Sequence, residues 1–304
     1  MRYEVMKTVT NADILSLGIT PEQCVEWVRE SFCMKDEAQL PPKISLHPQG
    51  GDFFNTMPCL LPSRYDRFGV KIVSRIAGKK PSLHSDLLLY QASTGELLSF
   101  MDADWITQMR TGAVAALAIR TLQASDALIY GFVGLGSTAV ATMECLLPLL
   151  HNRPVICKLL RYKQQAETFA GRFAAHKNVT FRVVDTPEEL VTDTDVLVSA
   201  VTEMPQLFCS DDTLYKPGML LVPIHTRGFQ NCDLFFDRIV ADDRGHVSGF
   251  KYFDRFRAFN ELSEVLLGEF PARQSDNERI IAYNIGLGLH DIYYANQIYS
   301  LLMQ

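Results

Sequence analysis

Gly134-Leu135-Gly136-Ser137-Thr138-Ala139 spells Gly-x-Gly-x-x-Ala, directly after the apolar run Ala127 to Val133 and directly before a segment of helical periodicity, Thr138 to Leu150. The first glycine permits a tight turn, the second lets backbone N–H groups approach a pyrophosphate, and a small third residue lets helix and strand pack closely. A glycine turn without a ligand has the same spelling, but the flanking strand and helix favour a dinucleotide. The next apolar run, Val155 to Leu160, ends in Leu160-Arg161-Tyr162-Lys163, where an acidic residue would hydrogen-bond an unphosphorylated ribose 2′-hydroxyl. Arg161 and Lys163 there favour a 2′-phosphate, and so NADP over NAD, unless they form a solvated helix start.

Three cations precede this loop: Lys43 after a double proline, Lys71 among apolar residues, and Arg110 in Gln108-Met109-Arg110-Thr111. A cation drawn inside a fold needs an anion, and with no protein carboxylate at hand in the sequence a substrate carboxylate or phosphate is the natural candidate. Three surface cations with apolar stems fit the sequence equally well when each is taken alone. The seven cysteines form no Cys-x-x-Cys pair, and the seven histidines form no His-Glu-x-x-His. Buried thiols and isolated imidazoles are therefore expected, with no metal and no disulfide frame. Cys59 beside Met57-Pro58 has no base paired with it in sequence, which argues against a cysteine nucleophile.

The elements that must position these groups can be read from pattern. Thr20-Pro21-Glu22-Gln23 is a capping box with proline at the first helical position, and the helix it opens must end before Pro41-Pro42. From Phe53 to Tyr90, apolar stretches alternate with breakers at Pro58, Pro62, Gly78 and Pro81, as strands joined by turns do, and Ser93-Thr94-Gly95-Glu96 reads as a hairpin turn. Asp104 opens a long helix whose small residues, Gly112 to Ile119, allow close packing and could link two domains. From Asp126 onward, strand, loop and helix alternate, with later runs at Thr180 to Val184, Val196 to Ala200, Met219 to Ile224 and Arg238 to Ala241. That rhythm predicts a parallel sheet. The aromatic and basic stretch Phe250 to Arg257 reads best as an amphipathic packing face.

Composition narrows the function. The chain has 304 residues, of which 47% are hydrophobic and 21% charged, enough apolar material for one large or two moderate domains. Its 29 Lys and Arg against 35 Asp and Glu give a net charge of −6, which disfavours a nucleic-acid partner. No apolar run reaches bilayer length and the first residues do not read as a secretory signal, so a cytoplasmic protein with no membrane partner is expected.

Over most of its length the chain resembles the ornithine cyclodeaminase and μ-crystallin family of NAD(P)-dependent oxidoreductases. The resemblance is carried by Gly69-Val70-Lys71-Ile72-Val73-Ser74, Thr94-Gly95-Glu96, the segment from Thr107 to Ala113, the glycine loop, and Gly286-Leu287-Gly288-Leu289-His290-Asp291. It implies an α/β fold with a Rossmann-type dinucleotide-binding domain, expected over 119–280. A discontinuous α/β substrate-binding and dimerisation domain is expected over 1–118 and 281–304. It implies a homodimer, Lys43, Lys71 and Arg110 as the cations gripping the carboxylate of an amino or imino acid, and Asn55 among the substrate contacts. For NADP or NAD it implies contacts from Thr111, Gly134, Gly136, Ser137, Thr138, Ala139, Arg161, Lys163, Val201 and Thr202.

Two departures bear on the reaction. His225 stands where cyclodeaminases have a catalytic aspartate, and Asn55 where the cyclodeaminases resembling this chain have a glutamate. Neither supplies the anionic charge a distant ammonium needs, although His225 can exchange a proton at the amine. The expected activity is reversible hydride transfer at the C–N bond of an α-amino or α-imino acid, as in ketimine reductases and amino-acid or opine-type dehydrogenases. In this reading Lys71 and His225 are the catalytic side chains. Ornithine cyclodeamination and ligand binding without turnover are the alternatives. Asp291, ahead of Tyr293-Tyr294, is read as structural.

Overall fold

Two sheets organise the chain, which the computed structural model describes over residues 6–202, 204–224 and 227–304. Its elements run β1 (Lys7–Val9), α1 (Asn11–Ser16), α2 (Pro21–Cys33), β2 (Ile44–Leu46), β3 (Phe53–Leu60), β4 (Arg67–Arg75), β5 (Leu83–Gln91), β6 (Leu97–Asp102) and α3 (Asp104–Leu122). The second sheet and its helices follow: β7 (Ile129–Val133), α4 (Ser137–Leu149), β8 (Val155–Leu160), α5 (Gln165–Arg172), β9 (Val179–Val184), α6 (Pro187–Val191), β10 (Val196–Ser199), β11 (Leu220–Pro223), β12 (Arg238–Ala241) and α7 (Arg244–Val247). The chain continues through β13 (Phe259–Glu261), α8 (Leu262–Leu266) and β14 (Ile280–Tyr283), and α9 (Gly288–Leu302) follows. By compactness it divides into Met1–Arg110 with Gly286–Gln304, and Thr111–Ile285. The first division falls inside α3. The second unit runs to Ile285 rather than ending near residue 280, because β14 hydrogen-bonds between β11 and β12.

In the first unit the strand order is β1-β6-β5-β4-β3-β2, antiparallel except for β1 against β6. Thr20 caps α2 through the expected box with Gln23, and Thr10 caps α1 in the same way with Asp13. Pro58, read from sequence as a breaker, instead lies within β3 opposite Val70. It is tolerated because β2 pairs only with Phe54 to Thr56, so the outer edge at residue 58 needs no ladder donor. One face of the sheet carries Met57, Cys59, Lys71, Val73, Leu87 and Leu89, all buried, and α9 packs on β3, β4 and β5. Gly69 makes that approach possible: a Cβ there would fall 2.7 Å from Ile292 Cδ1 and 2.9 Å from the Leu88 carbonyl oxygen. Helix α2 covers α9 in turn, with Trp27 edge-on to Tyr294 at 5.1 Å and the Tyr294 hydroxyl donating to the Cys24 carbonyl. The opposite face leaves Ile44, Leu46, Phe54, Phe68 and Ile72 exposed.

The second unit holds an eight-stranded sheet in the order β13-β12-β14-β11-β10-β7-β8-β9, with parallel pairing throughout. From β7 the chain moves out through β8 to β9, then returns to the other side of β7 with β10, so the topological switch lies between β7 and β10. This is the doubly wound α/β arrangement that the alternating pattern predicted. The small residues of α3 matter at Gly112, where a Cβ would collide with the Ala141 backbone of α4. The Phe250 to Arg257 stretch is mostly turn and a short 3-10 segment, and Phe250, Phe253 and Phe256 pack against the core around Tyr283 and Phe236. No helix of the described residues is long and apolar enough to cross a membrane.

Candidate functional site

Lys71 lies on β4 opposite Met57 of β3, on the face covered by α9, and is fully buried. Its Nζ donates to Asp291 Oδ1 at 2.6 Å, and Arg110 Nε, from α3, donates to the same oxygen at 2.8 Å. Asp291 is 0% exposed and Arg110 6%. The expectation that no protein carboxylate would stand near the cations is therefore corrected. Asp291, read from the sequence as structural, bridges Lys71 and Arg110. Two cations on one carboxylate leave a net charge of +1 away from bulk water, where charge is most costly to leave unmatched. Burial, and then the neighbouring Arg110, pull the Lys71 ammonium down to about 7, against the opposing pull of Asp291. Lys43, partly buried, adds a further positive charge acting on Lys71.

The surroundings are built around these groups. Gly286, at φ +101°, lies against the guanidinium of Arg110, and a side chain there would collide with it. His290, the residue before Asp291, is fully buried with Nδ1 at 2.6 Å from Ser31 Oγ. Burial holds its imidazole well below the usual range, so it is neutral. Burial also pushes the Cys59 thiol up to about 12, which keeps it protonated and inert. Asn55 is on the same face of β3 as Met57, one diagonal step from Lys71, and its buried Oδ1 has no hydrogen-bond partner among the described residues. Lys71, Arg110 and Asp291 are thus in direct contact, Lys43 acts on Lys71 electrostatically, and Asn55 shares the strand face.

In the second unit the glycine loop sits at the carboxyl end of β7, at the switch point. Gly134 adopts φ +78°, and a Cβ on it would fall 2.7 Å from the Val201 nitrogen that follows β10. Only glycine fits between these two strand ends. Gly136 is the N-cap of α4 with no side-chain cap, and a Cβ on it would meet only open space. The first-turn N–H groups of Ser137, Thr138 and Ala139 therefore have no intrahelical acceptor and no capping side chain. Ala139 is fully buried in the packing of α4. A cavity of about 510 Å³ opens between α4 and α5, lined by Leu135, Val140, Gln164, Thr168, Phe169 and Arg172. Bare helix N–H groups, a glycine where a phosphate must approach and an adjoining cavity fit a dinucleotide.

Arg161 follows β8 and is exposed, but its Nε donates to Asp185 and its Nη1 to Glu167, each at 2.6 Å. Lys163, also exposed, adopts φ +51° and lies 5.2 Å from the Tyr162 ring centroid. Val201 is half-buried and Thr202 exposed after β10, and Thr111 is half-buried on α3. His225 lies outside the described residues. A grouping the sequence did not signal is His84, Asp102 and Asp104, whose ligand-type atoms lie within 4.8 Å of one another at the ends of β5, β6 and α3. Asp104 is already committed there, accepting from the Ser85 N–H at 2.6 Å and lying 3.0 Å from His84 Nδ1, as a structural network does.

Comparison with known proteins gives this arrangement its relatives. Residues 4–304 match the ornithine cyclodeaminase/mu-crystallin family. The chain belongs to that family. It is 26% identical to nodulation efficiency protein NfeD of Rhizobium meliloti over 277 residues, covering 87% of this chain and 84% of the relative. It is 25% identical to the alanine dehydrogenase of Archaeoglobus fulgidus over 312 residues, covering 96% and 94%. Its fold matches the Δ1-pyrroline-2-carboxylate reductase of Thermococcus litoralis, solved in complex with NADH and L-proline, with TM-score 0.86 over 98% of each chain at 20% identity.

Proposed function

We propose that this member of the family is an NAD(P)-dependent oxidoreductase acting on the C–N bond of an α-amino or α-imino acid. The observation that carries the reading is the buried Lys71–Asp291–Arg110 group, whose one unmatched positive charge suits a single α-carboxylate. The glycine loop at the switch point supports a dinucleotide, which when bound supplies or accepts the hydride. Lys71 and Arg110 orient the substrate carboxylate and draw electron density from the C=N bond, Lys43 completes the anion grip, Asn55 contacts the rest of the substrate, and His225 exchanges the proton at nitrogen. The relatives that act on alanine and on pyrroline-2-carboxylate support this substrate class. The first unit is the substrate and dimerisation domain. The row Ile44, Leu46, Phe54, Phe68 and Ile72 on its outer sheet face supports a homodimer, since so contiguous an apolar strip is seldom left to water.

NADP is the preferred cofactor. No acidic side chain ends β8, and Arg161 is available to a 2′-phosphate, although it must leave Asp185 and Glu167 to reach it. Ornithine cyclodeamination is disfavoured because Asn55 cannot offer an anion to a distal ammonium. The deciding experiment follows nicotinamide absorbance with NADPH and NADH against cyclic ketimines and against 2-oxo acids mixed with amines, with an ornithine control for ammonia. Oxidation with an imine is the expected result. Silence in the panel with proline formed from ornithine would replace the reading with cyclodeamination.

A further inference from the structure

Asp291 has one oxygen committed twice. Oδ1 takes both Lys71 Nζ and Arg110 Nε, while Oδ2, equally buried, accepts no hydrogen bond among the described residues. Among the described residues, the hydrogen bonds the Asp291 side chain accepts come from the two cations, with no capping N–H or hydroxyl sharing its charge. A carboxylate that served only to anchor α9 would be expected to distribute its lone pairs over nearby donors, as buried polar groups generally do. Here the anion is reserved for the clamp. It arrives from a helix at the other end of the chain, 220 residues from Lys71 and 181 from Arg110.

The charges around Lys71 make that commitment consequential. Arg110 on α3 and Lys43 ahead of β2 oppose its protonation, and burial opposes it more strongly than either. His290 on α9 is neutral, and Cys59 on β3 is a protonated thiol. Asp291 is the group that favours the ammonium, both through space and through its hydrogen bond. Without it, Lys71 would face two like charges in a site that excludes water and would lose its proton at lower pH.

We propose that Asp291 is a positioning residue which, by holding Lys71 and Arg110 on one carboxylate oxygen, sets the upper pH limit at which the clamp can bind a substrate carboxylate. This deepens the proposed function and rests on its assignment of the clamp to an α-carboxylate. Asp291 acts through the two cations, and its effect differs from general stabilisation of the fold because it moves a titration rather than only a melting temperature.

The test reads binding, not turnover. Pyrrole-2-carboxylate, a planar α-carboxylate with no C=N bond to reduce, is titrated calorimetrically into the full-length protein with NADPH present, from pH 5.5 to 9. Wild type should hold its affinity at low pH and weaken about tenfold per pH unit above the limit set by one titrating group. In Asp291→Asn the limit should fall by about one pH unit or more while NADPH affinity is unchanged. A limit that stays in place in the folded variant, NADPH affinity that falls in parallel, or a wild type that binds no carboxylate overturns the proposal. Should Asp291→Asn not fold, Asp291→Glu carries the test. With the charge kept but displaced, the limit stays within about half a pH unit and the dissociation constant rises, whereas an unchanged constant overturns the proposal. Carboxylate binding with no turnover in the ketimine panel would count against the oxidoreductase reading and not against Asp291.

Discussion

Gly286 and Arg110 are fitted to each other: the glycine's left-handed backbone, at φ +101°, leaves room for a guanidinium that any side chain at 286 would displace. Gly286→Ala should therefore misplace Arg110 without touching the substrate. Steady-state kinetics should show a rise in KM for the carboxylate substrate of about ten- to a hundredfold, with cofactor affinity unchanged. Wild-type KM in a folded Gly286→Ala protein would mean that Arg110 does not grip the substrate.

The two loop glycines should fail in different ways. Gly134→Ala places a methyl against the backbone after β10 in a conformation that disfavours L residues, so it should lower the melting temperature and abolish nucleotide binding. Gly136→Ala meets open space in the protein, so the melting temperature should hold while NADPH binding weakens, because the methyl takes the volume a phosphate needs. Thermal denaturation beside fluorescence titration with NADPH separates the two. Equal loss of stability in both variants would show that the glycines serve the fold alone.

Lys71 gives the reaction a pH signature. Its ammonium is held down to about 7 by burial and by Arg110, so its positive charge is present below that pH and lost above it. For an anionic substrate, kcat/KM should therefore be flat at lower pH and fall about tenfold per pH unit above the limb. Lys71→Arg keeps its charge throughout and should lose the limb, whatever its absolute rate. A limb that persists in Lys71→Arg assigns the titration to another group.

Arg161 should decide cofactor choice. Arg161→Ser should reduce the preference for NADPH over NADH by about tenfold, the worth of one charge-assisted hydrogen bond. Asp185→Ser, which removes one of the two carboxylates that hold the guanidinium and leaves Glu167, should raise that preference. Isothermal titration with both nucleotides reads the ratio directly, and a ratio unmoved by either substitution would place 2′-phosphate recognition elsewhere.

What the sequence made legible was local. The glycine loop, the Thr20 cap and the alternation of strands with helices each depend on residues a few positions apart, and each stands where the pattern put it. The doubly wound sheet followed from that rhythm. Asp291 was illegible for the opposite reason, because its meaning lies in partners more than 180 residues away, and nothing in Leu289-His290-Asp291-Ile292 announces an ion pair. Arg161 was read as a cation, but Asp185 and Glu167, which hold it, become its neighbours only once β9 lies beside β8 and α5 folds back. Pro58 looked like a break because the sequence does not say that β2 stops two residues short of it.

The position of α9 in the chain also fixes the order of events at the ribosome. The strand face that carries Lys71 is made from residues 53–102, but the helix that covers it emerges only after the whole of Thr111–Ile285 has been synthesised. A nascent chain of this protein therefore has to shelter an open apolar sheet with a lysine at its centre through most of translation, and the dinucleotide-binding unit can fold before it. The bridge from Asp291 to Lys71 and Arg110 comes into being only when α9 arrives.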